Sequence, residues 1–310
     1  MQISFTSARR LGAHALAAVL VTLLAACAGA PRPVPEAPPS APPVAIQKVP
    51  RRIGLALGGG AARGFAHVGV IEVLEEAGIK PDLVVGTSAG SLVAALYASG
   101  RNAQQLQQSA MSMDEAAFAD WTLPIFSRGV LRGEALARYV DTQVNHRLIE
   151  NMAVPLGIVA TDLKTGQGVL FRRGDTGTAV RASSAVPAVF LPVKIGTQEF
   201  VDGGLVSPVP VRYARQMGAE VVIAVDISSA PEGNPFSDTL QILMQTFAIM
   251  GKSINSWELK DADVVVRPAL AGMSSGDFAG KRRAIDAGRA AMQAALPQLR
   301  AALEAKAHAP

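Results

Sequence analysis

Gly86-Thr87-Ser88-Ala89-Gly90 is the stretch on which the fold class turns, because it joins an apolar strand, Leu83 to Val85, to a helical pattern running from Leu92 to Tyr97. A serine between two glycines at a strand-to-helix turn is held on a sharp bend. Its hydroxyl is exposed at the carboxyl edge of a sheet, beside the backbone N–H groups of the new helix. That is the setting of a nucleophilic serine. The same five residues also suit a plain turn with a capping serine, so the reading depends on their surroundings.

A second glycine turn lies upstream. Ile53 to Leu57 reads as a buried strand, and Gly58-Gly59-Gly60-Ala61-Ala62-Arg63-Gly64 follows it into a helix spanning Phe65 to Ala77. Consecutive glycines let several backbone N–H groups converge on one point, which suits either a phosphate or the oxyanion of an acyl-transfer intermediate. Nucleotide binding fits poorly. The dinucleotide pattern needs glycine where Arg63 stands, and the phosphate loop needs a Gly-Lys-Ser/Thr ending that is absent. Two glycine turns at the ends of successive parallel strands lie side by side, so a donor loop and a nucleophile would face one pocket. A doubly wound sheet with tight turns and no chemistry is the bland alternative.

Downstream, helices and strands alternate. Helical patterns cover Ala103 to Met113, Glu134 to Leu148, Gly177 to Ala185, Val209 to Met217, about Leu240 to Leu259, and Arg283 to Ala305. Strand patterns cover Leu156 to Ala160, Val169 to Arg172, a pair within Pro192 to Val201, Val221 to Val225, and Val264 to Arg267. This alternation predicts one α/β domain over residues 51–310.

The amino-terminal residues read as an address. Arg9 and Arg10 precede an apolar run, Leu11 to Ala26, that is shorter than the ~20 residues a membrane-spanning helix needs. The run ends in Leu24-Ala25-Ala26-Cys27, which resembles the lipobox of bacterial lipoproteins, where the cysteine becomes lipid-modified and the new amino terminus. Cys27 is the sole cysteine of the 310 residues, so no disulfide forms within one chain. An ordinary cleaved signal peptide with an incidental cysteine is the alternative. Ala28 follows where an inner-membrane retention signal would show Asp, so the expected location is the cell envelope, lipid-anchored at the periplasmic face of the outer membrane. Residues 1–26 are thus expected to be a lipoprotein signal peptide. The Pro- and Ala-rich residues 27–50 are expected to be an extended tether. The net charge of +4 does not call for nucleic acid, since Lys281-Arg282-Arg283 is the one short basic run and suits a solvated face.

Ser88 needs a base. His14 lies in the leader, His308 in the tail, and His146 late in a helix beside Arg147. His67 follows the glycine loop, but a helical side chain one turn in points away from the pocket, so packing or hydrogen bonding is its expected role. A carboxylate must then be considered. Asp162, Asp202 and Asp226 each end a strand pattern, and only Asp202 is followed by Gly203-Gly204, a turn that lets backbone approach a substrate. Asp202 is therefore favoured. For Asp162 and Asp226 the rival role is a turn or helix cap.

Taken together, Gly58 to Gly64, Gly86 to Gly90, Ala182-Ser183-Ser184-Ala185-Val186-Pro187 and Asp202-Gly203-Gly204, in that order, resemble the patatin-like phospholipase family over about Arg52 to Ile227. The closest likeness is to its small bacterial members. The resemblance implies a three-layer α/β/α patatin-like fold with a mostly parallel central sheet. It also implies a Ser–Asp dyad of Ser88 as nucleophile and Asp202 as base. The amides of Gly58, Gly59 and Gly60 would form the oxyanion hole, with Arg63 supporting that loop, and the Ala182 to Pro187 block would be structural. The expected activity is hydrolysis of carboxylic esters in phospholipids or lysophospholipids. A thioesterase, a short-chain carboxylesterase, and a catalytically silent lipid-binding lipoprotein are the alternatives. The expected partners are a membrane lipid or acyl-ester substrate and the membrane itself through the anchor. No cofactor or metal is needed, and the lone cysteine leaves no Cys/His cluster to bind one. Thr122 to Phe126 and the Met- and Phe-bearing helix Leu240 to Met250 could wall an acyl pocket, though core packing is the expected use of that helix.

Overall fold

The computed structural model describes residues 52–114, 120, 128–232 and 237–307. Cys27 with its leader and tether, the Thr122 to Phe126 run, His14 and His308 lie outside the described residues. The central sheet has eight strands. In chain order these are β1 (Ile53–Leu57), β2 (Leu83–Thr87), β4 (Leu156–Asp162), β5 (Gly168–Phe171), β7 (Val193–Ile195), β8 (Gln198–Asp202), β9 (Val221–Val225) and β10 (Val264–Val266). They lie in the order β10-β9-β1-β2-β4-β8-β7, with β5 also on β4. The five strands from β10 to β4 run parallel, and β5, β7 and β8 pair antiparallel. Two short strands that carry no strong sequence pattern, β3 (Gly129–Leu131) and β6 (Ala188–Phe190), form a separate parallel pair.

Central strands of a parallel sheet are buried on both faces and so read as continuous apolar runs. Val221 to Val225 is such a run, and every residue in it is buried. Side chains alternate between faces. Leu55, Leu57, Val84, Ile223 and Val225 enter one core, while Ala56, Leu83, Val85, Val222 and Ala224 enter another. The first core is completed by α1 (Ala66–Glu76), α2 (Ala89–Ala98), α3 (Ala103–Ser112), α4 (Glu134–Gln143), α5 (Thr176–Ser183) and α8 (Lys281–Ala307). The second is completed by α6 (Val211–Gln216) and Leu259, which follows α7 (Thr239–Glu258). Three layers result, α/β/α, as the family resemblance implies.

The register of β4 positions the site. On one edge, Ile158 to Thr161 pair with β5. On the other, Leu156 to Val159 pair with β2, and Ala160 to Asp162 pair with β8. Strands β2 and β8 therefore run toward each other along the same edge and end at neighbouring positions, Thr87 opposite Val159 and Asp202 opposite Ala160. The two chain ends that carry Ser88 and Asp202 are brought face to face by this pairing.

Two expectations are corrected. The helix read from Glu134 to Leu148 stops at Gln143, because Asn145 and His146 adopt left-handed φ of 55° and 52°. More consequentially, α7 is not a core helix. Its buried residues are Gly251, Asn255 and Glu258, and Leu240, Ile242, Ile249, Met250 and Trp257 are all exposed. A helix amphipathic in composition carries no label saying which side faces in.

Candidate active site

The turn after β2 is built around glycine. A Cβ on Gly86 would lie 2.3 Å from the Gly90 carbonyl oxygen, and one on Gly90 would lie 2.1 Å from that of Leu57. Only glycine lets α2 start this close to β1 and β2. Ser88, squeezed between them, takes φ 53° and ψ −124°, outside the conformations that L-residues prefer. Its backbone is pinned on both sides. The Ser88 amide donates to Ser183 Oγ at 2.9 Å, and Ser183 Oγ donates onward to the Val159 carbonyl at 2.6 Å. The Ser88 carbonyl accepts from Ser91 Oγ at 2.6 Å. The Ser88 side chain makes no capping hydrogen bond to α2, so the plain capping-turn reading falls away. The hydroxyl is directed elsewhere.

It faces the Asp202 carboxylate and pulls its pKa down. Asp202 is 7 % exposed, and its Oδ1 also accepts the Gly204 amide at 2.6 Å. Thr161 Oγ1 donates to the Asp202 carbonyl at 2.8 Å, which fixes the end of β8. Burial pushes the Asp202 carboxyl up to about 6, against the opposing pull of the bonds from Ser88 and Gly204. A carboxylate held in this range is a stronger proton acceptor than an exposed one and is still ionised at neutral pH.

The glycine loop passes against this pair. A Cβ on Gly59 would meet Ser88 Cβ at 3.1 Å. Two of the loop's amides are already engaged: Gly58 N donates to the Val225 carbonyl at 3.0 Å, and Gly59 N to the Pro208 carbonyl at 2.9 Å. Those two bonds set the path of the loop. Among the described residues, the amides of Gly60, Ala61 and Ala89 donate no hydrogen bond. Arg63 is buried in the following turn, its own amide closing onto the Gly60 carbonyl at 3.1 Å. Burial lowers its guanidinium pKa, partly offset by the charge of Asp226.

The rival base candidates have other partners. His67 is fully buried, and its Nε2–H donates to the Gly58 carbonyl at 2.8 Å, which leaves Nδ1 unpartnered. Burial, opposed by that bond, lowers its pKa to about 4, so it is neutral at physiological pH and props the glycine loop. His146 is exposed. Asp162 Oδ1 accepts the amides of Lys164 and Thr165 at 2.9 and 2.8 Å, and its Oδ2 accepts Gln198 Nε2 at 2.6 Å. The Thr165 amide is the main cause holding it below the ordinary carboxylate range. Asp226 accepts the Ser228 amide at 3.1 Å and pairs with Arg267 at 3.3 Å. Both serve turns and ion pairs. Sequence reading did not single out Ser183 for its contact with the nucleophile, nor Thr87, whose Oγ1 ties β2 to the Ser207 carbonyl at 2.9 Å. Their one signal was a small hydroxyl residue at an element end. Among the described residues no group of three or more His, Cys, Asp or Glu side chains is placed to hold a metal.

Comparison with known proteins bears on this geometry. A model of the patatin-like phospholipase family matches residues 55–215, a span that holds the glycine loop, Ser88 and Asp202. The chain is 36% identical over 183 residues to an uncharacterized NTE family protein of Mycobacterium tuberculosis, covering 59% of this chain and 51% of that one. It is 34% identical over 234 residues to patatin-like phospholipase domain-containing protein 6 of Homo sapiens, covering 72% of this chain and 16% of that one. It thus spans about half the length of the mycobacterial relative and a small part of the human one. The crystal structure of VipD from Legionella pneumophila has a TM-score of 0.55 over 80% of this chain and 67% of that one, at 14% identity, a likeness of fold alone.

Proposed function

Because the chain belongs to the patatin-like phospholipase family, we propose that it is a serine lipid acyl hydrolase that cleaves carboxylic esters of phospholipids or lysophospholipids. The observation that carries this reading is the Ser88 hydroxyl set against a buried Asp202 carboxylate raised to about 6, at the meeting ends of β2 and β8.

In the proposed reaction Ser88 Oγ attacks the ester carbonyl carbon while Asp202 takes the hydroxyl proton. The carbonyl oxygen becomes an oxyanion, for which the unengaged amides of Gly60, Ala61 and Ala89 are the proposed donors. Gly58 and Gly59 hold the loop in place, and His67 holds the Gly58 carbonyl from behind. Collapse of the intermediate expels the lysophospholipid or glycerophosphodiester alkoxide, which takes the proton from Asp202 and leaves an acyl-serine. Water then attacks the acyl carbon, again losing a proton to Asp202. Release of the fatty acid returns that proton to Ser88.

Fluorophosphonate labelling followed by profiling on phospholipid, lysophospholipid, thioester and short-chain ester substrates tests this. Labelling at Ser88 with turnover of lipid esters is the expected result. Turnover that survives in Ser88→Ala would place the chemistry elsewhere. Cys27 is proposed as the lipid attachment point, residues 27–50 as the tether and the cell envelope as the location, on the strength of the leader pattern.

A further inference from the structure

Helix α7 is inside out. Its deeply buried positions are a glycine, an asparagine and a glutamate, namely Gly251, Asn255 and Glu258. Its opposite side carries Ile242, Thr246, Ile249, Met250, Ser253 and Trp257. These recur at the spacing that places them in one stripe along a 3.6-residue helix. Four of the six are large and apolar, with exposures of 54% for Ile242, 54% for Ile249, 44% for Met250 and 71% for Trp257. None is charged. The two charged residues of α7 are accounted for: Lys252 pairs with Glu232 at 2.5 Å, and Glu258 is buried against Ser207 Oγ at 2.6 Å. Of the nine large hydrophobic side chains exposed among the described residues, five belong to this one helix, which excludes scatter as the explanation.

The helix also borders the candidate site. Its inner side packs on Gly203–Leu205, directly after Asp202, and on Pro208, where a Cβ on Gly251 would lie 3.6 Å from Pro208 Cγ. Pro208 is the residue whose carbonyl holds the Gly59 amide at 2.9 Å. Whatever rests on the outer side of α7 therefore lies about one helix thickness, ~10 Å, from the segment that follows Asp202.

Resting on the lipid hydrolase reading, we propose that the outer face of α7 docks on a lipid surface and brings the dyad to substrate held in a bilayer or micelle. The stripe has no charge for an electrostatically guided partner to meet. Twenty residues of helix at ~1.5 Å each, and about 10 Å wide, present roughly 300 Å². That is well short of the ~800 Å² per partner of a stable protein interface, which argues against a second copy. The Lys260 ammonium lies over the Trp257 ring at 3.9 Å. An aromatic ring topped by a cation at the edge of an apolar stripe fits the headgroup level of a membrane, with the ring at the apolar boundary and the lysine reaching the phosphates.

The test uses the full chain with Trp121→Phe, so that Trp257 is the one tryptophan, mixed with phosphatidylcholine vesicles carrying doxyl-labelled acyl chains. Docking through α7 is expected to blue-shift and quench Trp257 emission. Co-sedimentation with unchanged Trp257 emission would overturn the proposal, since the chain would then bind through another region. Ile249→Glu is expected to lower turnover of vesicle-borne ester at least tenfold while leaving hydrolysis of a dissolved short-chain ester unchanged. An equal loss on both substrates would make the face structural. A concentration-dependent dimer in light scattering that Ile249→Glu abolishes would assign the face to a second copy. Quenching of Trp257 by vesicles in a chain that hydrolyses no ester would uphold docking and remove the hydrolase reading, so the two stand or fall separately.

Discussion

Ser88 holds φ 53° because the two glycines beside it admit α2 against β1, and that conformation costs an L-residue on the order of 1–3 kcal/mol. Ser88→Gly should therefore be more stable than Ser88→Ala by about 1 kcal/mol in urea unfolding, the difference being the strain that glycine does not feel. Both should lose fluorophosphonate labelling. Asp202 carries a second cost. Its carboxyl is raised from an ordinary 3.8 to about 6 in the fold, so its protonated form is the one that folding favours. That favourable contribution is complete below the unfolded value and is lost as pH rises through about 6; the gap between the two values makes the loss roughly 3 kcal/mol by neutral pH. Asp202→Asn is expected to raise the melting temperature at pH 8, to change it little near pH 3, and to lower turnover by two or more orders of magnitude. The wild-type kcat/KM should fall about tenfold per unit as pH drops below about 6, because the base must be ionised. His67, lowered to about 4, contributes no inflection there. Its replacement by Gln should keep the profile near 6 and reduce the rate much less than Asp202→Asn, whereas a moved inflection would identify His67 as the base.

Between elements, α1 and α8 cross backbone against backbone. A Cβ on Gly69 would lie 2.0 Å from the Ile285 carbonyl oxygen, and one on Gly288 would lie 2.0 Å from that of Ala66. Each helix thus offers a glycine to the other's backbone, and neither contact is with a flexible side chain that could move aside. Gly288→Val should destabilise by 1–3 kcal/mol or more, the range expected for an overpacked core, measured as a lowered urea midpoint. Gly276→Ala is the matched control, since a Cβ there meets nothing within 4 Å. The same logic of close approach governs the site. Gly203 enters where a Cβ would lie 2.2 Å from the Val159 carbonyl oxygen, so the chain can leave β8 beside β4 and beneath Thr87. Substitution at Gly203 should displace Asp202 from Ser88 and lower kcat, with the pH inflection moving upward as the opposing pull of Ser88 is lost.

At the scale of the molecule, the proposed envelope location rests on Cys27. Cys27→Ser should abolish incorporation of radiolabelled fatty acid in expressing cells, and equal labelling of both proteins would end the lipoprotein proposal while leaving the hydrolase untouched. No helix among the described residues is long and apolar enough to cross a membrane. What the sequence settled by itself was local. The apolar runs of β1, β2 and β9 and the two glycine turns, with Ser88 at the strand-to-helix junction of the second, follow from side-chain periodicity and turn chemistry within a few residues of each position. Asp202 was favoured by the Gly203-Gly204 that follows it and was named by the family resemblance. Its meeting with Ser88, however, depends on β2 and β8 converging along one edge of β4, and no local pattern encodes the register of distant strands. The occupation of the Gly58 and Gly59 amides by Val225 and Pro208 is likewise a property of chain segments brought together from far apart. The outward turn of α7 has the same origin. Its stripe of Ile242, Ile249, Met250 and Trp257 was legible as apolar, but which side of a helix faces inward is decided only by what the rest of the fold leaves to pack against.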